Sequence, residues 1–180
     1  MSFSIRLAEL DDAYQLPAVE RSAGQLFRTV AELAWIADDT VMSVQAHQQS
    51  ILRRTSWVAE LTDVTDVTDV TGGAIIGFIS AELFDDALHI WELSVHADYQ
   101  RQGVGRGLVH AVLAYAREQQ LKAVTLTTFQ DVPWNAPWYQ HLGFLMVPKD
   151  EWGPRLEGVL MAEQEHGVPI ERRCAMRYTV

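Results

Sequence analysis

The feature that most constrains this chain is a glycine-rich loop held between an apolar strand and an amphipathic helix. Residues 88–95 read as the strand, and residues 100–107 (Gln-Arg-Gln-Gly-Val-Gly-Arg-Gly) as the loop. After it, Leu108, Val109, Val112, Leu113 and Ala116 recur on one face at helical spacing. Glycines let a backbone approach a ligand closely, and the first amides of a helix point outward at the positive end of its dipole. Together they suit an anion, a pyrophosphate above all. Arg101 and Arg106 add positive charge at this spot, in a chain with 24 acidic against 14 basic residues and a net charge of -10. The competing reading is a tight strand-to-helix turn with solvated arginines.

Other phosphate loops fit worse. A dinucleotide fingerprint needs a third glycine, but the position three after Gly105 is Leu108, and counting from Gly107 it is His110. A Walker loop needs Gly-Lys followed by Ser or Thr, which the chain lacks. The loop also follows the fourth strand, whereas a dinucleotide fold places it after the first.

Around the loop the pattern is α+β. Alternation predicts a first strand at residues 4–8, with Asp11 and Asp12 offering caps to a helix through Leu16, Val19, Glu20 and Ala23. A second helix is expected at residues 43–54, and the stretch between the two helices has no clear period. Strands at residues 57–61, 74–83 and 88–95 read as an antiparallel meander, the last two joined at Asp85 and Asp86. Strands at residues 124–128, 144–147 and 172–178 follow, with a short helix near residues 135–142 and another at 155–164. Strands that run first, with helices intervening later, give a mixed sheet. A length of 180 residues suits a single domain over residues 1–180.

Between the second and third strands lies a Thr-Asp-Val repeat, read as an elongated, solvated hairpin connection. Asp63, Asp66 and Asp69 suggest calcium only loosely, since calcium loops need tighter geometry and more oxygens. No metal is expected. The acidic balance disfavours nucleic acid and anionic membrane and favours a cationic small molecule or basic peptide, although acidity also simply keeps proteins soluble. Arg6 and Glu9 interrupt any apolar leader, and no apolar run approaches the roughly 20 residues of a membrane span. With one cysteine, Cys174, read as a buried small hydrophobe, the default compartment is the cytoplasm.

Two motifs in order narrow this further. Gln100, Gly103 and Gly105 form Q-x-x-G-x-G, and Tyr139 precedes Gly143-Phe144 by four residues. This pairing resembles the acyl-CoA signatures of the GNAT superfamily of N-acetyltransferases, and the element order resembles it over nearly the whole chain. The resemblance implies a mostly antiparallel sheet with splayed fourth and fifth strands. It also implies acetyl-CoA as co-substrate and an amine acceptor: a small molecule, an amino acid or a peptide. Homodimer formation is left open.

By the same resemblance, backbone groups of Leu93 and Val95 hold the pantetheine arm, and amides of Arg101, Gln102, Gly103, Val104, Gly105 and Arg106 hold the pyrophosphate. Tyr139 is the proton donor to the departing thiolate, weighed against a packing role beside Trp138. The asparagine that many relatives carry seven residues before this tyrosine is Val132 here. Asn135, before Ala136-Pro137, reads first as a helix cap and second as a CoA contact. For the base, Glu92 stands first, because a carboxylate on a mostly apolar strand needs a reason; His89, His96 or a water chain are the alternatives. Trp134, Trp138 and Trp152 either line an acceptor pocket or pack the core. A CoA-binding regulatory module without turnover is the alternative function.

Overall fold

Near-continuous burial marks the central strands, and left-handed Arg54, Asp85 and Gln120 sit in the turns between elements. In the computed structural model, which describes residues 2–62 and 73–180, the strands are β1 (Phe3–Leu7), β2 (Ser56–Leu61), β3 (Ile75–Phe84), β4 (Ala87–Val95), β5 (Ala123–Phe129), β6 (Leu145–Met146) and β7 (Arg173–Thr179). They form one sheet in the order β1-β2-β3-β4-β5-β7-β6. The ladders β1–β2, β2–β3, β5–β7 and β6–β7 are antiparallel, and β4–β5 is parallel, as the α+β reading requires. The helices are α1 (Leu16–Gly24), α2 (Val44–Leu52), α3 (Val104–Glu118), α4 (Ala136–His141) and α5 (Gly153–Glu165). The Thr-Asp-Val repeat, with Asp63, Asp66 and Asp69, lies outside the described residues. Among the described residues no helix is long and apolar enough to cross a membrane.

The chain divides into two compact units. The first holds Met1–Glu82 and Glu92–Ala114. Its core gathers Ala13, Leu16, Val19, Ile51, Val58, Ile75 and Phe78. Ser43 caps α2, its Oγ accepting the Ala46 amide at 3.2 Å. The aperiodic stretch after α1 forms 3-10 turns at Gln25–Thr29 and Ala31–Asp38. Asp12, expected to cap a helix, instead lies in the 3-10 turn Leu10–Tyr14, where its Oδ2 accepts the Glu9 amide at 2.7 Å. Its main partner is Arg6, which donates from Nη1 and Nη2 to the two carboxylate oxygens at 2.7 and 2.9 Å. Arg6 Nε donates to Glu60 Oε2 at 2.7 Å, and Glu60 Oε1 accepts the Gly73 amide at 2.7 Å. One arginine thereby ties β1 to β2 and to the following turn.

Helix α3 buries Leu108, Val109 and Val112 completely. Its approach to β3 depends on Gly77, where a Cβ would sit 3.1 Å from both the Ser94 carbonyl and Val104 Cγ1.

The second unit holds Leu83–Trp91 and Tyr115–Val180. In it the parallel ladder runs from Ala87↔Ala123 to Ile90↔Leu126, and β5 continues to Phe129. Leu156 and Leu160 of α5 pack with Val147 and Ala175. Glu163 of α5 accepts from Thr127 and pairs with Arg173 at 2.8 Å, so α5 is anchored to β5 and β7 by polar contacts as well.

Candidate functional site

The predicted site residues fall in both units: Glu92, Leu93, Val95 and residues 101–106 in the first, Tyr139 and Asn135 in the second.

In the first unit β4 ends at Val95, and a 3-10 turn (Ala97–Tyr99) leads to the glycine loop. Gln100, the first residue of the Q-x-x-G-x-G motif, donates from Nε2 to the Val95 carbonyl at 3.0 Å. Gln102 does likewise to the Asp98 carbonyl at 2.9 Å. These side chains latch the loop to the strand end and to its own preceding turn. Arg101 has φ 59° and Gly103 φ 90°, so two left-handed residues turn the chain into α3. Residues 100–103 form a turn, and Gly107 then donates to the Gly103 carbonyl at 2.9 Å as α3 begins. A Cβ on Gly103 would meet nothing within 4 Å, so the space outside the loop is open. The first-turn amides of a 15-residue helix, at the positive end of its dipole, suit an anion. Arg101, Gln102, Gly103 and Arg106 are exposed, Gly105 half-buried, and Val104 alone faces the core.

Glu92 is half-buried and accepts from Ser94 Oγ at 2.7 Å, the two sharing one face of β4 as alternation requires. His96 caps the 3-10 turn, its Nδ1 accepting the Asp98 amide at 3.4 Å. His89 lies in the second unit, fully buried, with Nδ1 2.9 Å from Thr125 Oγ1. Burial first, and the nearby Arg155 charge second, push its pKa down to about 3. A histidine so weakly basic has little capacity to take a proton from an amine.

In the second unit the Tyr-x-x-x-Gly-Phe motif is a ring assembly built on a helix end. Tyr139 is buried, its ring edge-on to Trp138 at 4.9 Å and to Phe144 at 5.5 Å. Gly143, at φ 94°, ends α4 in the left-handed conformation, and Phe144 returns its amide to the Tyr139 carbonyl at 3.1 Å. A Cβ at Gly143 would press on Tyr178 Cε2 at 3.1 Å, so glycine is required twice over. The motif fixes the Tyr139 ring rigidly.

Asn135 corrects the capping expectation. It does stand at the N-cap of α4, and its carbonyl accepts the Tyr139 amide at 3.0 Å, but its side chain makes no capping bond. Its φ of -108° and ψ of -118° depart from the extended conformation of a working N-cap, and Oδ1 is buried without a partner. Val132 is core. Trp152, partly buried, donates to the Val147 carbonyl at 2.9 Å and packs on the Val147–Leu156–Leu160 cluster. Cys174 is buried, and burial pushes its thiol up to about 11. Among the described residues no group of three or more His, Cys, Asp or Glu is placed to hold a metal ion.

Three features of this arrangement were not foreseen: the Gln100 latch, Gly77 beneath α3, and the Arg155–Thr125–His89 cluster. The first two had signals available, a glutamine opening the motif and a glycine within a strand.

Comparison with known proteins agrees with the fold. An uncharacterized N-acetyltransferase, ycf52, of Gracilaria tenuistipitata var. liui is 36% identical over 59 residues, covering 33% of this chain and 31% of that protein. The matches span about a third of the length of these curated relatives. The PaiA N-acetyltransferase of Thermoplasma acidophilum, solved with coenzyme A, superposes with a TM-score of 0.68 at 16% identity, over 100% of both chains. The ribosomal-protein-S18-alanine N-acetyltransferase of Escherichia coli gives 0.64 at 15% identity, over 99% of this chain and 94% of that one. Such distant likenesses establish the fold. The model of the acetyltransferase (GNAT) family matches residues 27–144, a span that contains both the glycine loop and the tyrosine motif, and the chain is a member of that family.

Proposed function

We propose that this chain transfers the acetyl group of acetyl-CoA to a primary amine of a small molecule, an amino acid or a peptide, and that its 180 residues act as one domain. The observation that carries the reading is the loop that opens α3, where left-handed Arg101 and Gly103 turn the chain into a 15-residue helix beside open space at Gly103. The pyrophosphate of CoA is the kind of acceptor that the first amides of a helix favour. Backbone groups of Leu93 and Val95 take the pantetheine arm, and the unpartnered Asn135 Oδ1 takes one of its amide N–H groups.

In the reaction the amine lone pair attacks the thioester carbonyl. A C–N bond forms, the C–S bond breaks, and the leaving sulfur departs as thiolate. Glu92 accepts the proton the amine loses, and Tyr139 gives its phenolic proton to the thiolate. Orientation supplies much of the rate in such a transfer, which is the value of a ring held as tightly as that of Tyr139.

The test is thiol release from acetyl-CoA with a panel of amines, alongside calorimetric titration of CoA. Gly103→Val places a β-branched residue at φ 90° and a side chain in that open space, and should weaken CoA binding strongly while leaving the fold intact. Tyr139→Phe keeps the ring and should lower turnover about 10²-fold with CoA affinity unchanged. Tight CoA binding with no thiol release on any amine would favour the regulatory module instead.

A further inference from the structure

The second unit contains two buried donors that nothing in it answers. Arg155 lies in the first turn of α5, half-buried, and donates from Nη2 to Thr125 Oγ1 at 3.1 Å. Its Nη1 is buried with no hydrogen-bond partner. His89, at 0% exposure, has Nδ1 2.9 Å from the same Thr125 hydroxyl, and its Nε2 is also buried without a partner.

The tautomer follows from the shared threonine. Thr125 Oγ1 accepts from Arg155, which can only donate, so its own proton needs an acceptor. Among the described residues that acceptor is His89 Nδ1. With Nδ1 accepting, a neutral His89 carries its proton on Nε2. Both orphan atoms are therefore donors, one of them on a permanent cation.

The surroundings deepen the demand for negative charge. Arg177 is the nearby charge that acts against Arg155, and Asp85 is the one that favours it, yet among the described residues no carboxylate pairs with Arg155. Arg155 also stands at the positive end of α5, where the helix dipole prefers an anion, and Trp152 at the N-cap makes no side-chain capping bond. Beside these donors stand aromatic faces. Arg155 lies over the Phe84 ring at 4.9 Å, and His89 is edge-on to Trp91 at 4.6 Å. Trp91 is 43% exposed, so the cluster borders solvent. A half-buried cationic fork and a neutral N–H that share one threonine hydroxyl, with rings alongside, match a planar two-oxygen anion with an apolar body.

We propose that Arg155 and His89 form a binding site for a carboxylate group, with Phe84 and Trp91 flanking the apolar part of the ligand. The binding claim does not rest on the acetyltransferase reading. If that reading also holds, the carboxylate is either that of an amino-acid acceptor or that of a separate ligand.

The probes are phenylacetate and its neutral isostere phenylacetamide, titrated into the full chain labelled with ¹⁵N-histidine. Phenylacetate should move the His89 Nε2–H resonance saturably, and phenylacetamide should not. Arg155→Gln should weaken phenylacetate binding by about tenfold or more, the scale of losing a charge-assisted bond. Arg155→Lys keeps the charge without the fork and should retain partial affinity, which guards against misfolding of the glutamine variant.

A second arm compares L-leucine with L-leucinamide as acetyl acceptors. A lower KM for leucine that Arg155→Gln abolishes assigns the carboxylate to the acceptor; equal KM values with phenylacetate still bound assign it to a separate ligand. Absence of any turnover would count against the acetyltransferase reading and leave the titration to decide the site. The proposal is overturned if phenylacetate and phenylacetamide behave alike, or if Arg155→Gln binds phenylacetate as the parent does.

Discussion

Arg6, on β1, and Arg155, on α5, are both half-buried arginines, and the fold treats them in opposite ways. Arg6, in the first unit, meets two carboxylates through three nitrogens, and each carboxylate accepts a backbone amide besides. Arg155, in the second, meets one threonine hydroxyl and an aromatic face, with one nitrogen left over. Electrostatics follows: the Asp12 hydrogen bond leads in raising the pKa of Arg6, while burial leads in lowering that of Arg155. A saturated network is a device for holding elements in place. An unsaturated one, kept at the cost of desolvation, asks for a ligand.

Substitution tests the contrast directly. Arg6→Met strands Asp12 and Glu60 without their cation and should cost about 2 kcal/mol in denaturant unfolding, below the full cost of a buried pair because Arg6 is partly solvated. A loss under about 0.5 kcal/mol, the scale of an ordinary surface change, would erase the contrast from its strong side. Acidification should narrow the gap between parent and variant. Arg6, then the Gly73 amide, hold the Glu60 carboxyl below the usual carboxylate range. Its contribution is complete above the unfolded value of about 4.3 and is lost as pH falls through the lowered folded value. Urea curves for both proteins from pH 7 to pH 3 measure this, and a gap constant with pH would deny the pairing its ionic character.

Asn135→Ala should change stability by less than about 0.5 kcal/mol, because no capping bond is lost, where a working cap costs about 1 kcal/mol. The same variant should bind CoA more weakly in calorimetry. Arg155→Met should shift the unfolding midpoint least of all, or raise it, since it removes a buried unpaired donor along with one hydrogen bond. A loss equal to that of Arg6→Met would make Arg155 a structural residue.

The sequence made one kind of site plain and left the other hidden. Strand alternation and the apolar face of α3 placed most elements to within a few residues, and the glycine loop was legible because backbone sites are written in local residues. Glycine at position 103 and glutamine at 100 act within a dozen residues of one another. The Arg155 cluster was illegible because its members come from β4, β5 and α5, and only register brings His89 opposite Thr125. Its one local trace was a cation in the first turn of a helix, against the dipole. The residues between α1 and α2 were obscure for another reason: 3-10 turns have a period near 3 and leave no 3.6-residue stripe. Asn135 showed the limit of local rules, since the Asn-Ala-Pro sequence marks a cap position correctly and says nothing of where the side chain goes.

The burial of Cys174 has a practical side. It is the chain's single sulfhydryl, and with its pKa at about 11 it stays protonated and unreactive near neutral pH. Aromatic disulfide reagents that colour on meeting free CoA therefore face almost no background from the protein itself, and the chain can be used at high concentration when candidate amines are screened. A cysteine engineered onto the exposed surface of α3, at His110 for instance, would be the only addressable handle for a fluorophore or spin label.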